Sequence, residues 1–257
     1  MSVRLRDNII CKSSRMRAGS QRHMSGQSSS SPERRSFLTH LNAGVASLAA
    51  VALGSAAMAQ EKPAATTRWE PARHTKDDWL EKPTTKHRLV FDTTTPDGFG
   101  EALAFAANYI RVNRTDYGLQ NDDLAVVLVV RHRSTPFGYN DAMWAKYGAA
   151  IGAQSKFEDP RSKLPPKANV YSSGDYGDLL PNRGVTLDSL AKQGVQLGVC
   201  SVATRGYAGV IAAAVGGNAD AINSELIANL VSNSRMVPAG IVAVSRAQER
   251  GYTLVRA

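Results

Sequence analysis

DLAVVLVVRH, residues 123–132, contains seven consecutive apolar residues from Leu124 to Val130. A strand with one face in water alternates apolar and polar side chains. An unbroken run of this length, free of Gly and Pro, reads instead as a strand buried on both faces. Such strands belong to parallel sheets covered by helices on each side, so the run predicts an α/β domain. The segments around it agree. HRLVFDTTT (87–95) reads as a first strand ended by Pro96, and Ala102, Phe105, Ala106, Tyr109 and Ile110 recur at helical spacing over 98–113, with Asp97 as candidate cap. A second helix is expected over 140–151 and a short one over 186–193, leading into the strand VQLGVC (195–200). Residues 206–217 and 218–233 read as helix, the latter starting near Asn218 or Asp220. MVPAGIVAV (236–244) reads as a strand, SRAQERG as a short helix or turn, and YTLVRA (252–257) as a closing strand. This order predicts one domain around a mainly parallel five-stranded sheet.

Two segments break the pattern. Residues 60–86 are polar, with Pro63, Pro71 and Pro83, and read as an extended arm whose Trp69 and Trp79 dock on the domain or on a neighbouring subunit. Residues 155–184 are rich in Pro, Gly and charge and lack periodicity. An irregular insertion of that length is expected to cover a site, contact a partner or be mobile.

The formal charge of +9 suggests a nucleic-acid binder until its distribution is read. Residues 1–60 carry eight basic and two acidic side chains, and the remaining 197 carry 23 and 20, so the domain itself is nearly balanced and no nucleic-acid partner is expected. The basic leader contains Arg34-Arg35 followed by Ser36-Phe37-Leu38, a weakly apolar stretch from Leu41 to Met58, and Ala57-Met58-Ala59. This resembles a twin-arginine signal peptide over residues 1–59, with translation starting at Met1 or Met24 and the mature chain at Gln60. The stretch falls short of the roughly 20 strongly apolar residues needed to span a bilayer, so no stable membrane anchor is expected. The expected location is the periplasm, reached by export of the folded protein. There the mature chain holds a single cysteine, Cys200, and no internal disulfide can form.

LAKQGVQLGVC (190–200), the run VPAGIVAVSRAQERGY (237–252) and the polar residues after AVVLVV resemble the DsrE/DsrF-like family over 87–257. The resemblance implies a three-layer, flavodoxin-like α/β domain, a homo-oligomer of three or more copies, and a link to sulfur relay. In the sulfur-relay branch a cysteine near the end of the corresponding strand carries a persulfide, and Cys200 matches that position. The resemblance therefore implies a cysteine-dependent sulfur carrier or transferase acting on an anionic sulfur substrate or a protein partner.

Read as residues, the candidates sit at strand ends. In an open parallel sheet, ligands bind outside the carboxyl ends of the strands. Cys200, Ser201, His132 and Arg131 fall at such ends, and Arg205 lies near the next helix, where it can steer an anion. A thiol used as nucleophile needs cations or a helix N-terminus beside it. Cysteine is also among the most buried residue types and packs as a small apolar group, so Cys200 has two readings, nucleophile or core residue in a non-catalytic small-molecule or partner-binding accessory protein. Asp92, late in the first strand, holds a turn or binds a polar ligand. His74, His87 and His132 are too scattered for a metal site, and no Gly-x-Gly-x-x-Gly follows a strand, so neither metal nor cofactor is expected.

Overall fold

A computed structural model describes residues 69–257. The segment expected to be a leader and signal peptide (1–59) and the start of the expected arm lie outside the described residues. Five strands, β1 (His87–Thr93), β2 (Leu124–Val130), β3 (Gln196–Cys200), β4 (Ser234–Val237) and β5 (Thr253–Arg256), form one sheet. Its order is β4-β3-β2-β1-β5 and all four ladders are parallel. The helices are α1 (Pro96–Tyr117), α2 (Asp141–Ser155), α3 (Leu187–Ala191), α4 (Ser201–Val215), α5 (Ala219–Ala228) and α6 (Gly240–Glu249).

Every residue of β2 is buried, as its unbroken apolar run requires. Alternate strand residues enter two different cores. Leu89, Phe91, Val126, Leu128, Val130, Leu197 and Val199 pack with α1 to α5, while Val90, Val127, Val129 and Val237 pack with Ala243, Val244 and Ala247 of α6. The result is a three-layer α/β sandwich. The asymmetric coverage follows from topology. The chain steps from β1 to β4 in one direction and then returns past β1 to place β5. Right-handed crossovers in opposite directions of travel must lie on opposite faces, so α6 covers the face the other helices leave open. The sequential order differs from the 2-1-3-4-5 order of flavodoxin, so the layers match the flavodoxin-like expectation and the strand order does not.

The expectation of a strand over 236–244 is corrected. β4 stops at Val237 because Pro238 has no N–H for a ladder. From Gly240 the apolar residues sort by helical period, with Ile241 and Val242 exposed and Ala243, Val244 and Ala247 buried. Ser245 to Glu249 of SRAQERG continue this same helix, and Arg250 caps it. The cap of α1 is likewise Thr95, whose hydroxyl accepts from Gly98 N–H at 3.0 Å, ahead of Pro96 at the first helical turn. There is also no loop between β3 and α4: the helix starts at Ser201.

Both irregular segments contribute to packing. In the arm, a 3₁₀ helix at Thr75–Leu80 buries Leu80 completely and lays Trp79 against the second core, while Trp69 stays exposed. Tyr252 donates to the Leu80 carbonyl at 2.9 Å and fastens this turn to the sheet. The stretch 155–184 holds short 3₁₀ helices at Val170–Ser172 and Gly174–Leu179. Its Tyr171 packs edge-on against Phe99 and Phe137, and Phe157 packs edge-on against Phe137. Asn169, also buried, donates to the Phe137 and Tyr139 carbonyls at 2.9 and 3.0 Å.

Candidate functional site

The carboxyl ends of the strands collect most of the chemistry-bearing residues. α4 leaves β3 toward one face and α6 follows β4 toward the other, so the crevice between β3 and β4 is the topological switch point of this sheet. Cys200, the last residue of β3, borders it. Cys200 is 6 % exposed and is also the N-cap of α4, its Sγ accepting from Ala203 N–H at 3.5 Å. The turn is held from below. Tyr139 donates to Thr204 Oγ1 at 2.9 Å, and Thr204 donates to the Cys200 carbonyl at 3.0 Å. Burial raises the Tyr139 pKa, so it stays a neutral donor.

Asp92 and Arg131 form one unit across neighbouring strands. Arg131 Nε and Nη2 donate to the two carboxylate oxygens of Asp92 at 2.6 and 2.8 Å. The hydrogen bonds to Asp92 raise the Arg131 pKa against the opposing effect of burial, with smaller electrostatic contributions from Asp92 and Cys200. The Asp92 carboxylate is therefore occupied by Arg131. The aliphatic stem of Arg131 lies under the first turn of α6: a Cβ on Gly240 would stand 2.6 Å from Arg131 Cβ.

His132 follows at once with φ +58°, a left-handed conformation unusual for a side-chain-bearing residue. The turn is pinned by Ser134, whose Oγ accepts from Arg131 N–H at 3.0 Å and lies 2.9 Å from the Thr93 carbonyl. Beside this turn is a cleft of about 330 Å³, whose walls include His132 and Arg133, Gln154 and Lys156 at the end of α2, and Ala203 and Tyr207 of α4. Lys156 is the C-cap of α2 and also has positive φ, +57°. Burial raises the Tyr207 pKa, with Arg133 opposing. A larger hollow of about 880 Å³ lies at the opposite edge of the sheet, among Asp122, Asp188, Lys192 and Asn233, away from the strand ends where parallel sheets bind ligands.

The fold thus brings Asp92, Arg131 and Cys200 to one edge and places His132 in the adjoining cleft. Ser201 is the first residue of α4 and half-buried. Arg205 is exposed, and at 100° per residue it lies on the side of α4 opposite Ala203 and Tyr207. Arg133, like Arg131 an arginine just after a strand end, is read from sequence as part of this edge, whereas Lys156 and Tyr207 were not singled out; Lys156 ends a helix, and that position alone gives no sign of what it faces. Among the described residues no three His, Cys, Asp or Glu side chains cluster as a metal site, and no helix is long and apolar enough to cross a membrane.

No family model matches the chain, and no curated protein does. A solved protein of unknown function from Methanobacterium thermoautotrophicum is similar to it with a TM-score of 0.34 and 17% identity, over 67% of this chain and 100% of that one.

Proposed function

We propose that this protein is a non-catalytic small-molecule or partner-binding accessory protein of the DsrE/DsrF-like kind, with its pocket at the carboxyl edge of the sheet and Cys200 in a structural role. The supporting observation is the employment of Cys200: the side chain is 6 % exposed and its sulfur caps α4. The test is mass spectrometry of the native protein after treatment with a thiol reagent, and separately with thiosulfate or polysulfide. The expected result is a Cys200 that labels only after denaturation and gains no sulfur. A reductant-labile gain of about 32 Da mapped to Cys200 overturns it.

That second outcome is the sulfur-carrier reading, and one observation favours it. Cys200 ends β3 at the switch point, at the start of a helix and beside Arg131. With thiosulfate, the Cys200 thiolate would attack the outer sulfur, the S–S bond would break, and sulfite would leave with the electron pair, giving a cysteine persulfide. The proposal includes export through the twin-arginine route to the periplasm, supported by Arg34-Arg35 and Ala57-Met58-Ala59, and is tested by fractionation of cells expressing Arg34→Lys/Arg35→Lys. It also includes a homo-oligomer of three or more copies, supported by the exposed Val210 and Val215 on α4 and Ile227 on α5 and tested by sedimentation equilibrium.

A further inference from the structure

We infer that the cleft between His132–Arg133, the end of α2 and α4 binds a small doubly charged oxyanion of the thiosulfate, sulfate or phosphate class. The inference rests on the reading of this protein as a binding protein and specifies its ligand. Two chain segments, 132–133 and 156, bring three basic side chains to one concavity. No carboxylate lines it, and among the described residues none of His132, Arg133 and Lys156 forms an ion pair. The other arginine at this edge, Arg131, is neutralised by Asp92. Arg133 and Lys156, two neighbouring cations without a counter-charge, destabilise each other, and an anion relieves this. Tyr207 and Gln154, whose side chains carry neutral donors, also line it.

Backbone conformation points the same way. His132 and Lys156 both sit at positive φ, where glycine is favoured, and both line this cleft. Lys156 has a second reason to be basic, since a cation at a helix C-terminus complements the macrodipole. The volume of about 330 Å³ accepts a hydrated tetrahedral oxyanion and lies at the small end of ligand pockets. Ala203 joins this cleft to Cys200, because its N–H caps the sulfur while the residue lines the wall.

The test is calorimetric titration of the full chain with thiosulfate, sulfate and phosphate at low ionic strength, with chloride as control. At least one dianion is expected to bind, and the three titrations identify which. Arg133→Gln and Lys156→Gln should each weaken that binding about ten-fold or more, the loss of one charge-assisted hydrogen bond. Arg205→Gln, on the far side of α4, should bind as the parent does. Lys156→Gly separates ligand binding from a merely structural role: relief of the left-handed strain should raise Tm by about 2–4 °C while affinity still falls. Absence of dianion binding by the parent chain, or undiminished binding by both Arg133→Gln and Lys156→Gln, overturns the inference. If binding is absent while native Cys200 stays unlabelled, the oxyanion assignment alone fails. If Cys200 takes up sulfur, the accessory-protein reading fails, and the same titrations on Cys200→Ser still decide the cleft.

Discussion

Arg131 is used from end to end: its guanidinium is committed to Asp92 and its stem supports α6. The pair is enclosed on the carboxylate side, but the Arg131 side chain keeps 26% of its surface in solvent. Breaking a fully buried pair costs about 3–5 kcal/mol; with that exposure, Asp92→Asn is expected to cost about 2 kcal/mol in urea unfolding. Gly240→Ala adds a methyl where the Arg131 stem already lies, and overpacking of this kind costs about 1–3 kcal/mol. The two substitutions meet on one side chain, so the double variant should lose less than the sum of the two, and a double-mutant cycle measures the difference.

At the scale of elements, the stretch 155–184 is an added piece of core. Its anchor is Asn169, which bonds two carbonyls of the segment before α2 and accepts from Tyr171 N–H at 3.2 Å. Asn169→Ala leaves those buried carbonyls without their donor, and a cost of about 3 kcal/mol is expected. Limited proteolysis should then cut within 155–184 before any cut in the strands, because the sheet ladders do not depend on this residue. The α6 segment teaches a related lesson. GIVAV is apolar enough for a strand or a helix, and what selects helix is Pro238 ending the ladder together with an uncovered sheet face for Ala243, Val244 and Ala247 to fill.

For the whole molecule, pH dependence follows from carboxylates that tie elements together. Hydrogen bonds from Lys146 and Tyr147 on α2 hold the Glu225 carboxyl on α5 below its ordinary 4.5. Burial pushes Asp159 up, but bonds from Tyr176 and from the Ser162 and Arg161 N–H groups outweigh it and hold it below 3.8. A carboxyl depressed in the folded state contributes stability that is present above its unfolded value and lost as pH falls through the folded one. The urea midpoint should therefore be flat from pH 7 to 5 and decline below about 4.5, and Glu225→Gln should be less stable at pH 7 with a shallower acid decline. On the alkaline side, burial pushes Tyr252 and Tyr176 up to about 12 from 10.0. That stability is present below pH 10 and is lost as pH rises through the folded values.

The order of strands and helices was legible in the chain because period and apolar run length are local properties: Leu124–Val130 reads as a doubly covered strand wherever it is placed. The Arg34-Arg35 pair, the Ala57-Met58-Ala59 end and the single cysteine after residue 60 are also properties of the chain alone. Tertiary structure decided the strand order, because only the return of the chain past β1 fixes which face α6 must cover. It also decided the partners at the strand ends. Asp92 and Arg131 are 39 residues apart in sequence and meet through the register Thr93↔Val130 of the β1–β2 ladder. Lys156 shares a cleft with His132 and Arg133 because of the direction of α2, which no local pattern states. A side chain's type is written in the sequence, but the charge it faces depends on contacts between distant segments, and those exist only once the sheet and its helices have packed.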